Sequence, residues 1–238
     1  MAEANAAPPR SDLTTRAMSA LVMVAIAGTA LWVGGHWLAL FVWTICAGLL
    51  WEFWGLVSRI THDAGARLLW MAGGVLYIGG ACFGLLMSPP ELRWLVILVV
   101  IATDTGAYFA GRKFGGAKIA PAISPSKTWA GLYGGMVYAA LVMLVAFLKS
   151  KSVLIGGAGA MLRVIELYSH TLFMMMLAGA ALAVLAQCGD FFESWMKRRA
   201  GVKDSGTLIP GHGGLFDRLD GLLPVAIAAG AFTHWVLL

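Results

Sequence analysis

A succession of long apolar segments is the feature of this sequence that most limits its fold. Each is close to the roughly 20 residues that a helix needs to cross a bilayer, and none shows the alternation of a membrane β-strand. The segments are Ala17–Val33, Trp37–Val57, Leu68–Met87, Leu92–Gly111, Trp129–Leu148, Thr171–Cys188 and Leu222–Leu238. With 60% hydrophobic and 12% charged residues, the composition is that of a membrane protein. We therefore predict an all-α, polytopic integral membrane bundle of about seven to eight transmembrane helices.

The start of the chain predicts a tail and a helical hairpin. Residues 1–16 are polar and are expected to form a cytosolic tail, followed by a single integral membrane domain over residues 17–238. The first apolar segment has the length of a signal-peptide core, but a second apolar segment follows it where a soluble domain would be expected. Further along, Ser152–Ser169 is glycine-rich and then amphipathic, so its assignment to a span or to the interface stays open.

The distribution of basic residues predicts the orientation. With the N-terminus in the cytosol, the opposite side holds only four of the 17 Lys and Arg residues: Arg93, Lys149, Lys151 and Arg163. The excess of Lys and Arg on the cytosolic side satisfies the positive-inside rule. It also accounts for the net charge of +5 without nucleic acid as a partner. The loops 112–128 and 189–221 then lie on the same, cytosolic side. They are therefore expected to build a single cleft there.

The stretch from Gln187 to Gly221 carries the charged residues that are rare elsewhere in the chain. Its carboxylates and bases are Asp190, Glu193, Asp204, Asp217, Asp220, Lys197, Arg198, Arg199, Lys203 and Arg218. The turn 210–214, with His212 among glycines, lets backbone amides approach a ligand closely. Hard oxygen ligands favour Mg²⁺ over zinc, and Mg²⁺ with Lys and Arg suits phosphoryl or nucleotidyl transfer. The alternative is a solvated charged face in which His212 caps a turn.

Two acidic residues lie inside predicted spans. Asp104 should face a wet cleft, because a charge within a bilayer is costly, and Tyr108 and Arg112 follow it on the same helix face. A structural Asp104–Arg112 pair or a protonated carboxyl is the alternative. Glu52 lies near the inner end of the second span, and the sequence leaves open whether it reaches the interface, pairs with Arg59 or has a function.

The loop 111–131 combines glycines with Arg112, Lys113, Lys118 and Lys127. Amide donors beside cationic side chains suit phosphate binding. The segment Ser126-Lys127-Thr128 lacks the glycine spacing of a P-loop, which argues against Walker-type ATP binding. Taken alone, the loop also fits a basic anchor on anionic lipid.

Together these motifs resemble the phosphatidate cytidylyltransferase (CDP-diacylglycerol synthase) family. Every fixed position of the family's long signature is present: Ser194-x-x-Lys197-Arg198-x-x-x-x-Lys203-Asp204-x-Gly206-x-x-x-Pro210-Gly211-His212-Gly213-Gly214-x-x-Asp217-Arg218-x-Asp220. Three upstream motifs also resemble the family: Gln187-x-Gly189-Asp190-x-x-Glu193-Ser194, Asp104-x-x-Ala107-Tyr108-x-x-Gly111-Arg112 and Ser124-Pro125-x-Lys127-Thr128-Trp129. The resemblance covers the catalytic region, residues 100–225, and the N-terminal spans 17–87 by hydropathy alone.

The resemblance implies a reaction in which CTP and phosphatidic acid give CDP-diacylglycerol and pyrophosphate. It implies dependence on Mg²⁺, with room for a second cation such as K⁺, a homodimer, and a multi-pass protein of a bacterial-type inner (plasma) membrane. The lipid phosphate is itself a nucleophile, so the enzyme mainly has to position the substrates and neutralise charge.

The roles implied by the resemblance fall into three groups. The catalytic residues would be Lys197, Lys203, Asp204, Asp217 and Arg218. The substrate-binding residues would be Asp104, Tyr108, Arg112, Lys127, Thr128, Ser194, Arg198, His212, Gly213 and Gly214. The metal ligands would be Asp190, Asp204, Asp217 and Asp220.

Two departures from the family and two rival functions remain on the sequence alone, while a CDP-alcohol phosphotransferase is disfavoured because its D-x-x-D-G-x-x-A-R motif is missing. Family members are often longer, with extra N-terminal spans, which leaves the span count open. Many family members carry Glu where this chain has Ala130, so no role is assigned to that position. A CTP-dependent lipid kinase that acts on a polyprenol would use similar residues and release CDP. A transporter would place its charges near the midplane of broken, repeated helices, whereas the carboxylates here gather near one rim.

Overall fold

The structure is a computed structural model, and it describes residues 10–150, 157–211 and 213–237. The helices are α1 (Arg10–Val33), α2 (Gly35–Ile60), α3 (Ala64–Gly74), α4 (Gly80–Met87), α5 (Pro90–Phe114), α6 (Trp129–Ser150), α7 (Gly157–Ala200), α8 (Phe216–Leu219) and α9 (Leu222–Phe232). The strands β1 (Lys118–Ala120) and β2 (Ser124–Thr128) form an antiparallel pair between α5 and α6.

Among the described residues, six helical segments are long and apolar enough to cross a membrane. They are Arg16–Val33, Gly35–Ile60, Ala64–Met87, Pro90–Phe114, Trp129–Ser150 and Leu167–Ala200, and a shorter apolar helix covers Leu222–Trp235. The predicted all-α polytopic fold is confirmed. The predicted seventh span, Leu222–Leu238, differs from the structure in length, because the C-terminal apolar helix covers only Leu222–Trp235 and is shorter than the six long segments. The cytosolic placement of its loops stays a prediction.

A π-helical turn at Val75–Gly79 joins α3 to α4 in one continuous helix, a detail that hydropathy did not predict. The two parts have different neighbours. On α3, the ring of Trp70 lies 5.9 Å from that of Trp195 on α7. On α4, Gly84 packs so tightly on α9 that an added Cβ would lie 2.6 Å from the carbonyl oxygen of Ala226.

The helix α7 is longer than the predicted span. It begins at Gly157, so part of the ambiguous segment 152–169 is helical, and it changes direction at Tyr168, whose φ and ψ of −119° and 20° are not helical. At its other end the helix continues to Ala200. Asp190, Glu193 and Lys197 therefore share one helix, and their spacings of three and four residues are those of a single helix face.

Glycines allow α5 and α6 to approach each other closely. A Cβ on Gly106 would lie 2.5 Å from the carbonyl oxygen of Gly134, and one on Gly135 would lie 2.9 Å from that of Thr103. Small residues at such positions are the usual means of close helix packing in membranes. The contact fixes Asp104 on α5 relative to Lys127, which precedes α6.

The N-terminal helices pack against the segment that carries the long motif. Leu49 and Phe53 of α2 belong to the same buried cluster as Met196 of α7 and Phe216 of α8. The rings of Phe53 and Phe216 meet edge to face at 6.2 Å. The second span therefore contacts the loop that follows α7.

Candidate active site

A polar cavity of about 660 Å³ lies where α5, β2, α6, α7 and the turn before α9 meet. Of the residues predicted from the motifs, it brings together Asp104, Tyr108, Arg112, Lys127, Thr128, Asp190, Asp217, Arg218 and Asp220. Ser126 and Gln187, to which the motifs assign no role, line it as well. The loop 112–128 and the stretch 187–221 thus share a single site, which agrees with their predicted position on the same side of the membrane.

One wall of the cavity holds more carboxylates than cations. Lys127 forms an ion pair with Asp190, and the hydroxyl of Ser194 donates to the other oxygen of Asp190 at 3.5 Å. Burial and the charges of Asp190 and Asp104 raise the pKa of Asp220 to about 7, although its side chain accepts a hydrogen bond from Gly221 N–H. A carboxyl that neighbouring carboxylates keep partly protonated is a group that a bound cation would ionise.

Gly189 brings Asp190 and Asp220 together. It stands on α7 directly before Asp190, and a Cβ there would lie 2.9 Å from Cγ of Pro224 and still closer to the carbonyl oxygen of Asp220. Only a residue without a side chain lets α7 pack against this turn. The close packing of α7 against this turn therefore explains why the Gln187-x-Gly189-Asp190 motif contains a glycine.

A second cluster surrounds Lys197. Its ammonium lies 2.7 Å from an oxygen of Glu193 and 2.7 Å from Oδ1 of Asp217. Oδ2 of Asp217 accepts from the N–H and the hydroxyl of Ser205 at 2.8 and 2.9 Å and from Gly214 N–H at 2.8 Å. Burial opposes the ionisation of Asp217, but hydrogen bonds with Glu193, Lys197 and these two amides outweigh it and lower the pKa of Asp217. The hydrogen bonds of this cluster therefore favour the ionised form of Asp217.

The candidate phosphate-binding residues differ in what they already contact. Nη1 of Arg112 donates to the Tyr108 hydroxyl at 2.7 Å, and its guanidinium lies over the same ring. No ion pair joins Arg112 to Asp104 in the part of the chain that the structure describes, so that alternative is wrong. Arg198 reaches back to the β1–β2 turn, where its Nε donates to the carbonyl of Ile123 at 3.3 Å.

Two predicted catalytic residues lie apart from the main cavity. Lys203 and Asp204 are exposed, and they line a separate cavity of about 270 Å³ together with Arg59. Gly213, with a φ of 85°, packs between them and the main site, since its Cβ would lie 3.1 Å from Oδ2 of Asp217 and 3.3 Å from Cβ of Asp204. The catalytic role of Lys203 and Asp204 stays a prediction.

The remaining predicted residues have local roles or lie outside the described chain. Thr128 accepts a hydrogen bond from Gly131 N–H at the start of α6. His212 lies outside the described residues. The four predicted metal ligands lie in three places: Asp190 and Asp220 on the cavity wall, Asp217 beside Lys197, and Asp204 in the separate cavity. Within residues 10–150, 157–211 and 213–237, no group of three or more His, Cys, Asp or Glu lies at metal-binding separations. The metal assignment stays a prediction.

Sequence reasoning missed the role of Glu52. Its side chain neither reaches the interface nor pairs with the exposed Arg59. Instead it is buried, with 3% of its surface exposed, and its oxygens accept hydrogen bonds from the backbone of Leu215 and Phe216. The available signal was a carboxylate in an otherwise apolar span, which pointed to a buried contact without naming the partner.

A polytopic helical membrane fold with a cavity of carboxylates, lysine and arginine defines the class of membrane enzymes that act on phosphate groups. The sequence model of the cytidylyltransferase family matches residues 91–236. The chain therefore belongs to the cytidylyltransferase family, and it is a nucleotidyltransferase.

Curated relatives extend the match to the N-terminal spans. The phosphatidate cytidylyltransferase of Brucella suis is 33% identical, with 91% of each chain covered. That of Rickettsia bellii is 32% identical over 91% of this chain and 89% of the relative. That of Haemophilus influenzae is 39% identical over 60% of this chain and 45% of the relative.

Proposed function

We propose that this protein transfers the cytidylyl group of CTP to phosphatidic acid and forms CDP-diacylglycerol and pyrophosphate. One observation carries the proposal: a single cavity collects the carboxylates and cations of three separate motifs in a chain built of membrane-crossing helices. Such a site can receive a lipid phosphate from the bilayer and a nucleotide from the aqueous side. The names of the relatives supply the specific substrates.

In the proposed reaction an oxygen of the lipid phosphate attacks the α-phosphorus of CTP. A new P–O bond forms there, and the bond between the α-phosphorus and the bridging oxygen breaks, so pyrophosphate leaves with the electron pair. No protein nucleophile is needed. The protein aligns the two phosphates and neutralises the charge that develops on the leaving group.

The cationic residues of the cavity would supply this neutralisation. Arg112, Lys127 and Arg218 line it, and guanidinium groups suit the oxygens of a phosphate. Lys197 has a different position, because its ammonium is already held between Glu193 and Asp217. We assign Lys197 to holding Asp217 in place while a substrate binds.

The donor set of the cavity fits Mg²⁺. The observation is that Asp104, Asp190 and Asp220 line one cavity, because carboxylate oxygens are the ligands that Mg²⁺ prefers. Asp190 and Asp220 would hold the ion, with Asp217 on the same cavity and Asp204 beyond Gly213. Bound there, Mg²⁺ would neutralise phosphate oxygens. A second cation such as K⁺ and a homodimer remain predictions.

We place the protein in the inner membrane of a bacterium, with the cavity facing the cytosol. The bacterial relatives and the distribution of basic residues support this orientation, since CTP is a cytosolic substrate. Cysteine labelling from either side of sealed vesicles, at single cysteines placed at the exposed positions Ser126 and Glu91, would test it.

The decisive experiment supplies purified protein in detergent with CTP and phosphatidic acid, with Mg²⁺ added or chelated. We expect CDP-lipid and pyrophosphate in equal amounts, formed only with Mg²⁺. Release of CDP with phosphorylation of an added polyprenol would support the lipid kinase instead. Substrate flux across proteoliposomes without nucleotide turnover would support a transporter.

A further inference from the structure

Glu52, on the second span, is a buried carboxylate that lies outside the cavity. Its Oε1 accepts from Leu215 N–H at 2.9 Å, and its Oε2 accepts from Phe216 N–H at 2.8 Å and lies 3.1 Å from the hydroxyl of Ser205. These partners are more than 150 positions away in the sequence. Two backbone N–H donors of the loop after α7 thus converge on one side chain of α2, with the Ser205 hydroxyl, whose one proton is shared between Glu52 and Asp217, beside them.

The loop is shaped around this carboxylate. A Cβ on Gly214 would lie 2.6 Å from Oε2 of Glu52, and one on Gly206 would lie even closer to Oε1. Neither glycine has a positive φ, so the backbone conformation does not explain them. The space taken by Glu52 explains Gly206, and that taken by Glu52 and the still closer Ser205 hydroxyl explains Gly214. Two glycines of the long motif are therefore matched to a residue of a span that the motif does not include.

In the part of the chain that the structure describes, no Lys or Arg compensates the charge of Glu52. Among the described residues it forms no ion pair with Lys or Arg, and its compensation comes from the loop's N–H and hydroxyl groups. A buried carboxylate loses its hydration, and it is tolerated when several donors replace the lost water. The loop and Glu52 therefore require each other.

Ser205 connects Glu52 to a residue of the cavity. Its hydroxyl lies 3.1 Å from Oε2 of Glu52 and 2.9 Å from Oδ2 of Asp217, and Asp217 lines the cavity. Glu52 itself does not line it. Any influence of Glu52 on the reaction must therefore pass through the loop 205–217.

From these contacts we infer that Glu52 is a positioning residue of the nucleotidyl transfer, which fixes the loop 205–217 so that Asp217 faces Lys197 and the cavity. The N-terminal spans are then part of the catalytic unit as well as a membrane anchor. An outer carboxylate that orients such groups typically contributes about 10- to 100-fold to activity. Because Glu52 touches no cavity surface, its loss should lower kcat and leave the KM for CTP nearly unchanged.

Glu52→Gln is the sharpest test, because it keeps the size of the side chain. A carboxamide has one acceptor oxygen, so in either orientation its NH₂ group faces a backbone N–H of Leu215 or Phe216. Glu52→Asp keeps the charge on a shorter stem and serves if the Gln variant does not fold. Leu38→Ala is the matched control, since this buried residue of the same helix destabilises the core without touching the loop.

Two readouts are compared per folded molecule: kcat, and amide hydrogen exchange at Leu215 and Phe216. We expect Glu52→Gln to lower kcat about 10- to 100-fold and to speed exchange at both amides about tenfold or more, with Glu52→Asp intermediate and Leu38→Ala unchanged in both. Unchanged exchange, faster exchange with normal kcat, or an equal loss in Leu38→Ala would each overturn the inference.

The activity readout rests on the proposed function, and the exchange readout does not. A wild-type protein that forms no CDP-lipid would refute the proposed substrates. The exchange comparison would then still support or overturn the contact between Glu52 and the loop. The two failures are therefore distinguishable.

Discussion

Gly189→Ala is expected to separate the two carboxylates of the cavity wall. The added Cβ would lie 2.9 Å from Pro224 and closer still to the carbonyl oxygen of Asp220, so α7 and the turn must move apart by on the order of 1 Å, at a cost of about 1–3 kcal/mol for overpacking. Asp190 moves with α7, away from Asp220. A displacement of about 1 Å at a reacting site can lower the rate about 100-fold, and we expect a loss of kcat of that size.

The assay pairs this variant with Gly179→Ala on the same helix. A Cβ on Gly179 would lie 2.7 Å from the carbonyl oxygen of Ala139, so the control crowds backbone in the same way but at an interface remote from the cavity. Both variants should unfold at lower temperature than the wild type, and only Gly189→Ala should lose kcat per folded molecule. Near-normal kcat in Gly189→Ala, or equal losses in the two variants, would refute the reasoning.

Three further predictions concern the charged residues. Lys127→Met leaves Asp190 without its ion-pair partner, so turnover should fall at least about tenfold, and the CTP and phosphatidic acid assay measures this. Asp217→Ala removes a buried acceptor and should lower the free energy of unfolding by about 3 kcal/mol, whereas Asp204→Ala, which is exposed, should change it by less than about 0.5 kcal/mol. If either Ala variant keeps normal turnover, that residue is not a metal ligand. In the presence of a chelator, the free energy of unfolding should fall as the pH rises from about 4 to about 7. The reason is that the folded state holds the proton of Asp220 up to its raised pKa of about 7, whereas the unfolded state releases it near about 4. Asp220→Asn should flatten this dependence in thermal unfolding curves, and an unchanged slope would contradict it.

Hydropathy was sufficient to predict the membrane-crossing helices, because burial in lipid requires an apolar surface along the whole length of a helix. Hydropathy was less reliable for the positions at which the helices end. The C-terminal apolar run is shorter as a helix than as a sequence segment, and α7 continues beyond Cys188 as a polar helix to Ala200. The β1–β2 pair escaped prediction because its strands are short and polar.

The cavity was largely predictable from motifs, whereas its support was not. Asp104, Lys127 and Asp190 come from three motifs and line one cavity. Their meeting depends on close packing of α5 and α6, which the glycines of those spans permit. Glu52 could not be assigned, because its partners are loop amides. Every residue except proline has a backbone N–H, so the residue types do not indicate which amide acts as a donor.

The π turn at Val75–Gly79 sets the rotational phase between α3 and α4. One residue of a helix corresponds to about 100° of rotation but only about 1.5 Å of length. Deleting a single residue from this turn would therefore barely change the span's fit to the bilayer, yet it would swing Gly84 away from Ala226 and bring a side chain against α9. A relative that lacks one residue here is expected to carry its small residue one position along the chain.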